Sequence, residues 1–343
     1  MSTGIATISN IKKSIDYERR LRKASYVLLT ILAASAAIFV VISALAILNE
    51  GIAKFVATVL KINGFYYSLA LILVFSAYLL RYPKWEMYMK HLGVNIQRKK
   101  NLWVYLSMYS MDITPGRWGR AIVSYTINRL TGVKFGRTFP AIVADIFTDF
   151  LGFVIICIFF SFLVHRYILE SVIISLILLL PFVFLYHKGP FKFIKRKLSR
   201  FRRMRSFFEV GDLYFKNNKR LGRDVYWYSL LYTVPSMLMN AISLYFIILS
   251  FGINLPIVYI PEIIFIFTSA LLLGMITGIP ANLGVTDAAL LALLVAFFGG
   301  AGIDFGVASV ITIFSRIANV WFVELFGFLA LLHTMKYWKE KKR

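Results

Sequence analysis

The sequence predicts an all-α, polytopic integral membrane protein, with about six full transmembrane helices plus two re-entrant helical hairpins arranged as inverted repeats. Three observations predict it. Hydrophobic residues make up 59% of the 343 and charged residues only 16%. Apolar runs recur that reach the ~20 helical residues needed to cross a ~30 Å hydrocarbon core. Two apolar stretches are broken midway by proline and glycine beside charged residues, in DITPGRWGRA and TGIPANLGVTD. A single transmembrane domain over 1–343 follows, with a first half at about 24–165 and a second at about 167–335.

Lysine and arginine beside the spans set orientation. The N-terminal segment carries Lys12, Lys13, Arg19, Arg20, Arg22 and Lys23, which places it in the cytoplasm. Span 1 (about 24–48) has no charge and leads out; span 2 (about 64–80) returns to a basic loop holding Arg81, Lys84, Lys90, Arg98, Lys99 and Lys100. The stretch from Leu102 to Leu130 then has two arms too short to cross, joined at Pro115-Gly116 and flanked on both sides by basic residues. It reads as a hairpin dipping in from the cytoplasm, an irregular backbone tolerated at depth only when protein or a wet cavity covers it.

Span 3 (about 139–164) and span 4 (about 167–186) lead to a loop, 187–223, with thirteen Lys/Arg against Glu209 and Asp212. Its apolar residues Phe191, Ile194, Leu198, Phe201 and Phe208 recur near helical spacing, so it is read as a basic amphipathic helix on the inner leaflet, the alternative being a solvated loop. Span 5 (about 224–250) ends in a loop without lysine or arginine. A second hairpin, with arms over 263–277 and up to Phe298, then enters from outside, and span 6 (about 305–332) returns to the basic tail KYWKEKKR. Each half thus reads span, span, hairpin, span, and each hairpin turns on P-x-x-x-G: Pro115 to Gly119 and Pro280 to Gly284. Both termini are expected in the cytoplasm of a multi-pass cell-membrane protein.

The charge of +23 is assigned to cytoplasmic loops facing anionic lipid rather than to nucleic acid. The first apolar run is too long for the core of a cleavable signal peptide. A lone Cys157 and four scattered histidines give no metal-ligand spacing, and no nucleotide-binding or zinc-protease motif occurs, so no cofactor is expected.

The candidate binding residues lie at the breaks and in the spans beside them. Thr114 is placed to cap a helix arm that Pro115 begins, and Gly116 leaves bare backbone beside Arg117. Together they suit an anion, most naturally a phosphate; the alternative is a plain tight turn with Arg117 reaching the interface. Asp145 and Asp149 share one face of span 3, and ionisable groups there need a partner or a wet cavity. Arg316 lies deep in span 6, with Asn319 and Glu324 one and two turns on. Two roles are open for it: an ion pair with Asp149, Asp112, Asp287 or Glu324, or contact with an anionic substrate. Asn282 and Asp287 complete the second break. Tyr66, Tyr67, Trp85, Trp103, Trp227 and Trp338 read as interfacial aromatics.

The stretches DITPGRWGRA, VADIFTDFLGF, TGIPANLGVTDAALL and FSRIANVWFVELFG resemble the transmembrane region of lysylphosphatidylglycerol synthases, over roughly residues 20–335. That region also occurs in stand-alone UPF0104 proteins and in glycosyltransferases of the AglD type. Arg120 stands where the family often has glutamate, Ile146 where it often has arginine, and Asp287 where glutamate is usual. The resemblance implies movement of polar-headed lipids between leaflets, and the short tail after span 6 is read as lacking a synthase domain. The expected function is therefore a lipid translocase for a phosphate-bearing lipid, a phospholipid or a polyprenyl-phosphate-linked sugar. Asp112, Asp149 and Asp287 would contact amine or hydroxyl groups or carry coupling protons. Alternatives are an integral-membrane lipid-modifying transferase working near Asp112, Arg117 and Asp145, or a non-transporting accessory subunit. The latter would recruit a membrane glycosyltransferase or synthase through the loop 187–223.

Overall fold

A computed structural model of the protein describes residue 44 and residues 52–186, 188–198 and 205–340. The expected span 1 and the basic segment before it lie outside the described residues, apart from Ala44. Among the described residues the chain is 86% helix with no strand. That suits lipid, because a helix satisfies its backbone groups within its own segment.

The helices run in order α1 (Ile52–Leu60), α2 (Gly64–Leu80), α3 (Tyr82–His91), α4 (Arg98–Ser107), α5 (Ile122–Thr131), α6 (Phe135–Val164) and α7 (Ile168–Tyr186). They continue as α8 (Lys188–Leu198), α9 (Arg205–Asn218), α10 (Asp224–Ser250), α11 (Ile260–Thr277), α12 (Val285–Phe298), α13 (Phe305–Arg316) and α14 (Phe322–Glu340). Local signals explain several ends. Asn63 caps α2 by accepting from Phe65 N at 3.0 Å, and Asp304 caps α13 by accepting from Val307 N at 2.9 Å. A short π-helix, Ile317–Trp321, joins α13 to α14 within one long rod.

Six helical stretches among the described residues are long and apolar enough to cross a membrane: Gly64–His91, Phe135–Val164, Asp224–Ser250, Ile257–Thr277, Pro280–Ala301 and Phe305–Tyr337. Four of them contain expected spans, and the expected span over 167–186 forms α7. The other two are the arms of the expected second hairpin, each reaching crossing length once its terminal 3-10 turns are included. The first broken stretch differs. There α4 runs into a 3-10 segment, Met108–Met111, and a second 3-10 segment, Pro115–Ala121, leads into α5. The α4 arm spans about 23 Å at the usual rises, short of the hydrocarbon core.

Close packing fixes these arms against their neighbours. A Cβ on Gly327 of α14 would sit 2.4 Å from Ser110 N and 2.6 Å from Tyr109 C, so the last helix touches the backbone of the 3-10 segment 108–111. Gly152 lets α6 approach α10 in the same way, its absent Cβ lying 2.8 Å from Thr233. Membrane helices rely on small residues for such contacts because lipid offers no hydrophobic drive between them.

The basic loop folds as two helices rather than the single helix its periodicity predicts. Phe191 of α8 packs its ring 5.0 Å from Phe215 and 5.9 Å from Phe208 of α9. Tyr214 and Phe215 bury against Val143 of α6. The apolar side of α9 is therefore covered by protein, which a period count cannot separate from a side covered by lipid.

Candidate functional site

The two broken segments meet. Ala281 N donates to Ile113 O at 2.7 Å, joining the second turn to the first. Both turns hold residues in the left-handed region that glycine normally takes: Arg117 (φ 60°) in the first, Ala281 (φ 53°) and Asn282 (φ 54°) in the second. Each such residue costs about 1–3 kcal/mol and persists only where its surroundings fix it. Ala281 is fixed on both sides, since its carbonyl accepts from Arg316 Nη2 at 2.5 Å.

The glycines of the two P-x-x-x-G patterns do different work. Gly119 N donates to Thr114 Oγ1 at 2.7 Å, and a Cβ there would lie 2.6 Å from that oxygen and 2.7 Å from Met111 O. Thr114 thus ties its own turn together instead of capping a helix, and the α-helix begins only at Ile122. Gly284 has φ 84° and donates its N–H to Asp287 Oδ2 at 2.7 Å, closing the start of α12.

Beside the first turn lies a buried charge cluster. Asp149 Oδ2 is reached by Arg81 Nη1 at 3.3 Å, Arg117 Nη1 at 3.2 Å and Arg120 Nη1 at 3.0 Å, and its Oδ1 by Lys84 Nζ at 3.0 Å. Asp145 pairs with Lys84 at 2.8 Å and Arg120 at 2.6 Å. Arg120 also holds Asp112 through Nε and, at 2.9 Å, through Nη2. Four cations therefore face three carboxylates. Arg81, Lys84 and Arg120 have side chains at most 2% exposed, whereas Arg117 is 17% exposed, so Arg117 is the cluster's cation nearest to open space. Lys84 donates further to Thr148 and Thr233, both at 3.2 Å, and so spends its three protons inside protein.

On the far side, Arg316 Nε pairs with Asp287 Oδ1 at 2.9 Å. Of the four carboxylates weighed as partners from sequence, Asp287 is the one it meets. The π-helix that follows places Asn319 so that its Nδ2 donates to Ser243 Oγ at 3.3 Å and Ser315 O at 3.2 Å. Single-turn π segments occur often where a helix carries function. Glu324 Oε1 accepts from Ile113 N at 2.6 Å, binding the last helix to the first turn.

Between these groups lies a cavity of ≈ 80 Å³. At 10–15 Å³ per water that is room for roughly half a dozen. Its lining includes the charged and polar residues Arg81, Asp112, Thr114, Arg117, Asn282, Arg316, Asn319 and Glu324 and the apolar residues Phe150, Phe153, Phe267 and Leu290. Asp149 and Asp287 stand behind that lining, clamped by its arginines, and Asp145 is held by Arg120 and Lys84. Pro115 and Gly116 supply the backbone of the first turn.

Sequence reasoning missed Arg81, Lys84 and Arg120 as members of this site. Arg81 and Lys84 were read as loop charges, yet they are 1% and 0% exposed, because the helix continues past Leu80 into protein. Trp85 is likewise buried rather than interfacial, with Nε1 donating to Asn101 Oδ1 at 3.0 Å. Aromatic side chains at Tyr78, Tyr82, Trp85 and Tyr88 recur at helical spacing across the two basic residues, and that stripe was the available signal.

The chain is similar in sequence to known membrane proteins. The chain is 23% identical to a UPF0104 membrane protein of Methanothermobacter thermautotrophicus over 303 residues, covering 79% of this chain and 86% of that protein. It is 21% identical to a UPF0104 membrane protein of Pyrococcus horikoshii over 322 residues, covering 83% and 92%. The lysylphosphatidylglycerol synthase TM region family matches residues 31–327, which include both turns, the charge cluster and Arg316. The chain belongs to the lysylphosphatidylglycerol synthase TM region family.

Proposed function

We propose that the protein is a lipid translocase that moves a phosphate-bearing lipid, phospholipid or polyprenyl-phosphate-linked sugar, between the leaflets of the cell membrane. The observation that carries the reading is the cavity at the meeting of the two strained turns, lined by Arg117 and Arg316 together with phenylalanine and leucine. Such a lining matches a lipid that presents an anionic phosphate next to apolar chains. The chains stay in the bilayer while the phosphate passes through the wet compartment. In this reading the two broken segments are the corresponding parts of an inverted repeat, the first a re-entrant hairpin and the second a pair of arms of crossing length, and they meet through Ile113 and Ala281. Both termini lie in the cytoplasm, and the exposed lysines and arginines of α8 and α9 attract anionic lipid to the inner face. The transferase alternative needs an available acid or base, and its candidates Asp112 and Asp145 are both held by Arg120.

Proteoliposomes with fluorescent phospholipids and a membrane-impermeant quencher test the reading. Arg117→Gln removes a charge-assisted contact of about 1.5–3 kcal/mol, so leaflet exchange should fall ten- to hundredfold while the protein stays folded. Arg316→Gln should do the same and lose stability as well, because Arg316 also holds Ala281 and Asp287. Full exchange by both variants removes the proposed site.

A further inference from the structure

The acids at and beside the cavity are not alike. Asp112 is bonded by Arg120 Nη2 at 2.9 Å, Asp145 by Lys84 at 2.8 Å, Asp149 by Arg120 at 3.0 Å and Asp287 by Arg316 at 2.9 Å. Protonating any of these aspartates would take the balancing charge from a buried cation. Glu324 on α14 lines the cavity and is 7% exposed, yet among the described residues it takes part in no ion pair. Its bond comes from a peptide, with Oε1 accepting from Ile113 N at 2.6 Å. A carboxyl buried in a membrane without a cation is costly to keep charged and marks a functional group. The charged and titratable groups around it are engaged elsewhere. Asp112 and Arg120 face it from the first turn, where Arg120 gives Nε and Nη2 to Asp112 and Nη1 to Asp145 and Asp149. Tyr78, Arg81, Arg117 and Arg316 line the same cavity, and these arginines pair with Asp149 or Asp287. Tyr105 of α4 and Tyr109 of the segment 108–111 bond to each other at 2.7 Å, as do Tyr125 and Arg129 of α5. His333 lies nine residues further along α14 and bonds Tyr337 at 2.8 Å.

We propose that Glu324 carries a proton in step with the lipid phosphate, so that an anionic lipid and a proton cross together with no net charge. The inference rests on the translocase reading for its cargo and adds the driving force. It also moves the coupling proton from Asp112, Asp149 and Asp287, where the sequence suggested it, to the acid that has no cation. With water in the cavity of ≈ 80 Å³ the carboxylate is solvated. A phosphate that enters displaces that water and brings a second negative charge into the same small space, and two like charges in one dry site do not both persist. Glu324 then takes a proton from hydronium, leaving water, and returns it to water on the side where the phosphate departs. The protonated carboxyl keeps one oxygen for Ile113 N and gains an O–H that can donate to the phosphate.

Protonation and transport are measured apart, so that the two readings fail separately. Infrared spectra of the full-length protein in dodecyl maltoside, a detergent without carbonyl groups, read the protonated carboxyl directly. A buried-carboxyl C=O band that grows as pH falls, separate from the bands of exposed acids, is expected. Glu324→Gln, which still offers an oxygen to Ile113 N, should remove it. Absence of the band from the unaltered protein, or its survival in Glu324→Gln, overturns the proposal. Proteoliposomes with NBD-labelled phosphatidylglycerol, which carries one negative charge, read the coupling. With one proton per lipid, each pH unit of gradient should shift the steady-state ratio of label between leaflets about tenfold, while a potassium–valinomycin potential leaves the ratio unchanged. Glu324→Gln should lose the response to the pH gradient and gain one to the potential, a change that misfolding cannot produce. His333→Gln should respond as the unaltered protein does. A ratio that ignores the pH gradient, or that responds alike with and without Glu324, overturns the proposal while the translocase reading stands. If no lipid crosses at all, the translocase reading falls, and the infrared band decides whether Glu324 is a proton site.

Discussion

Asp149→Asn isolates the charge cluster, because it keeps the shape of the side chain and removes only its charge. Four cations lie within 3.3 Å of that carboxylate. At an effective dielectric of 20 each contact contributes about 5 kcal/mol of attraction, offset by several kcal/mol of desolvation per buried ion. Once the charge is gone, four cations face only Asp112 and Asp145. Removing one partner from a buried ion pair destabilises by about 3–5 kcal/mol, a large part of the 5–15 kcal/mol that holds a typical domain together. Reversible unfolding in mixed detergent micelles, followed by far-ultraviolet circular dichroism, reads this directly. Lys84→Met supplies the internal check. Alone it should also destabilise, since Lys84 touches both Asp145 and Asp149. Combined with Asp149→Asn it restores a surplus of one cation, so the double variant should be more stable than the sum of the single effects by about 1–3 kcal/mol. A change under about 0.5 kcal/mol for Asp149→Asn, or strict additivity, would mean that the cluster does not act as one buried network.

Two further variants test how the first turn is held. Glu324→Gln keeps an oxygen for Ile113 N and should cost under about 1 kcal/mol in the same unfolding assay, whereas Glu324→Ala orphans that N–H and should cost about 1–3 kcal/mol more; equal effects would show that the contact carries nothing. Gly327→Ala gains about 1 kcal/mol of helix propensity but drives a methyl to 2.4 Å from Ser110 N, so a net loss of about 1–3 kcal/mol is expected. A more stable Gly327→Ala protein would refute the close approach of the last helix to the segment 108–111.

Much of the fold was legible in the sequence because hydrocarbon imposes a length and a polarity on every segment within it. Runs such as 139–164 and 224–250 admit one reading, and both lie within single helices, Phe135–Val164 and Asp224–Ser250. The breaks at Pro115 and Pro280 were legible for a similar reason: proline and glycine interrupt an apolar run only where something compensates the backbone. Their contact with each other was not, because a bond from Ala281 to Ile113 joins residues far apart in the chain and leaves no periodic trace. The cations of the cluster were hidden by a rule that is sound on average. Basic residues after a span mark the cytoplasmic side, and Lys90 and Arg98 are indeed exposed, but Arg81 and Lys84 belong to the same run and are buried. Charge alone cannot separate them. The acids Asp145 and Asp149 give the better clue, since two carboxylates one turn apart in lipid require cations that the span itself lacks.

So many internal ion pairs leave none of Arg81, Arg117, Arg120 and Arg316 without a carboxylate, which works against binding an anion. Arg117 resolves the difficulty in the proposed mechanism. It is held by one carboxylate oxygen at 3.2 Å and by a longer contact of 3.9 Å to Asp112, and it is the most exposed of the four cations. When a phosphate draws Arg117 away, Asp149 keeps Arg81, Lys84 and Arg120, and Asp112 keeps both of its bonds from Arg120. No buried charge is stranded by the exchange, so the penalty that normally follows breaking a buried pair does not arise. The same swap at Arg120 would take a partner from Asp112, Asp145 and Asp149 at once and leave Asp112 only its 3.9 Å contact to Arg117. The redundancy around Asp149 therefore assigns the two arginines of the first turn different tasks: Arg120 holds the acids in place, and Arg117 is left able to change partners.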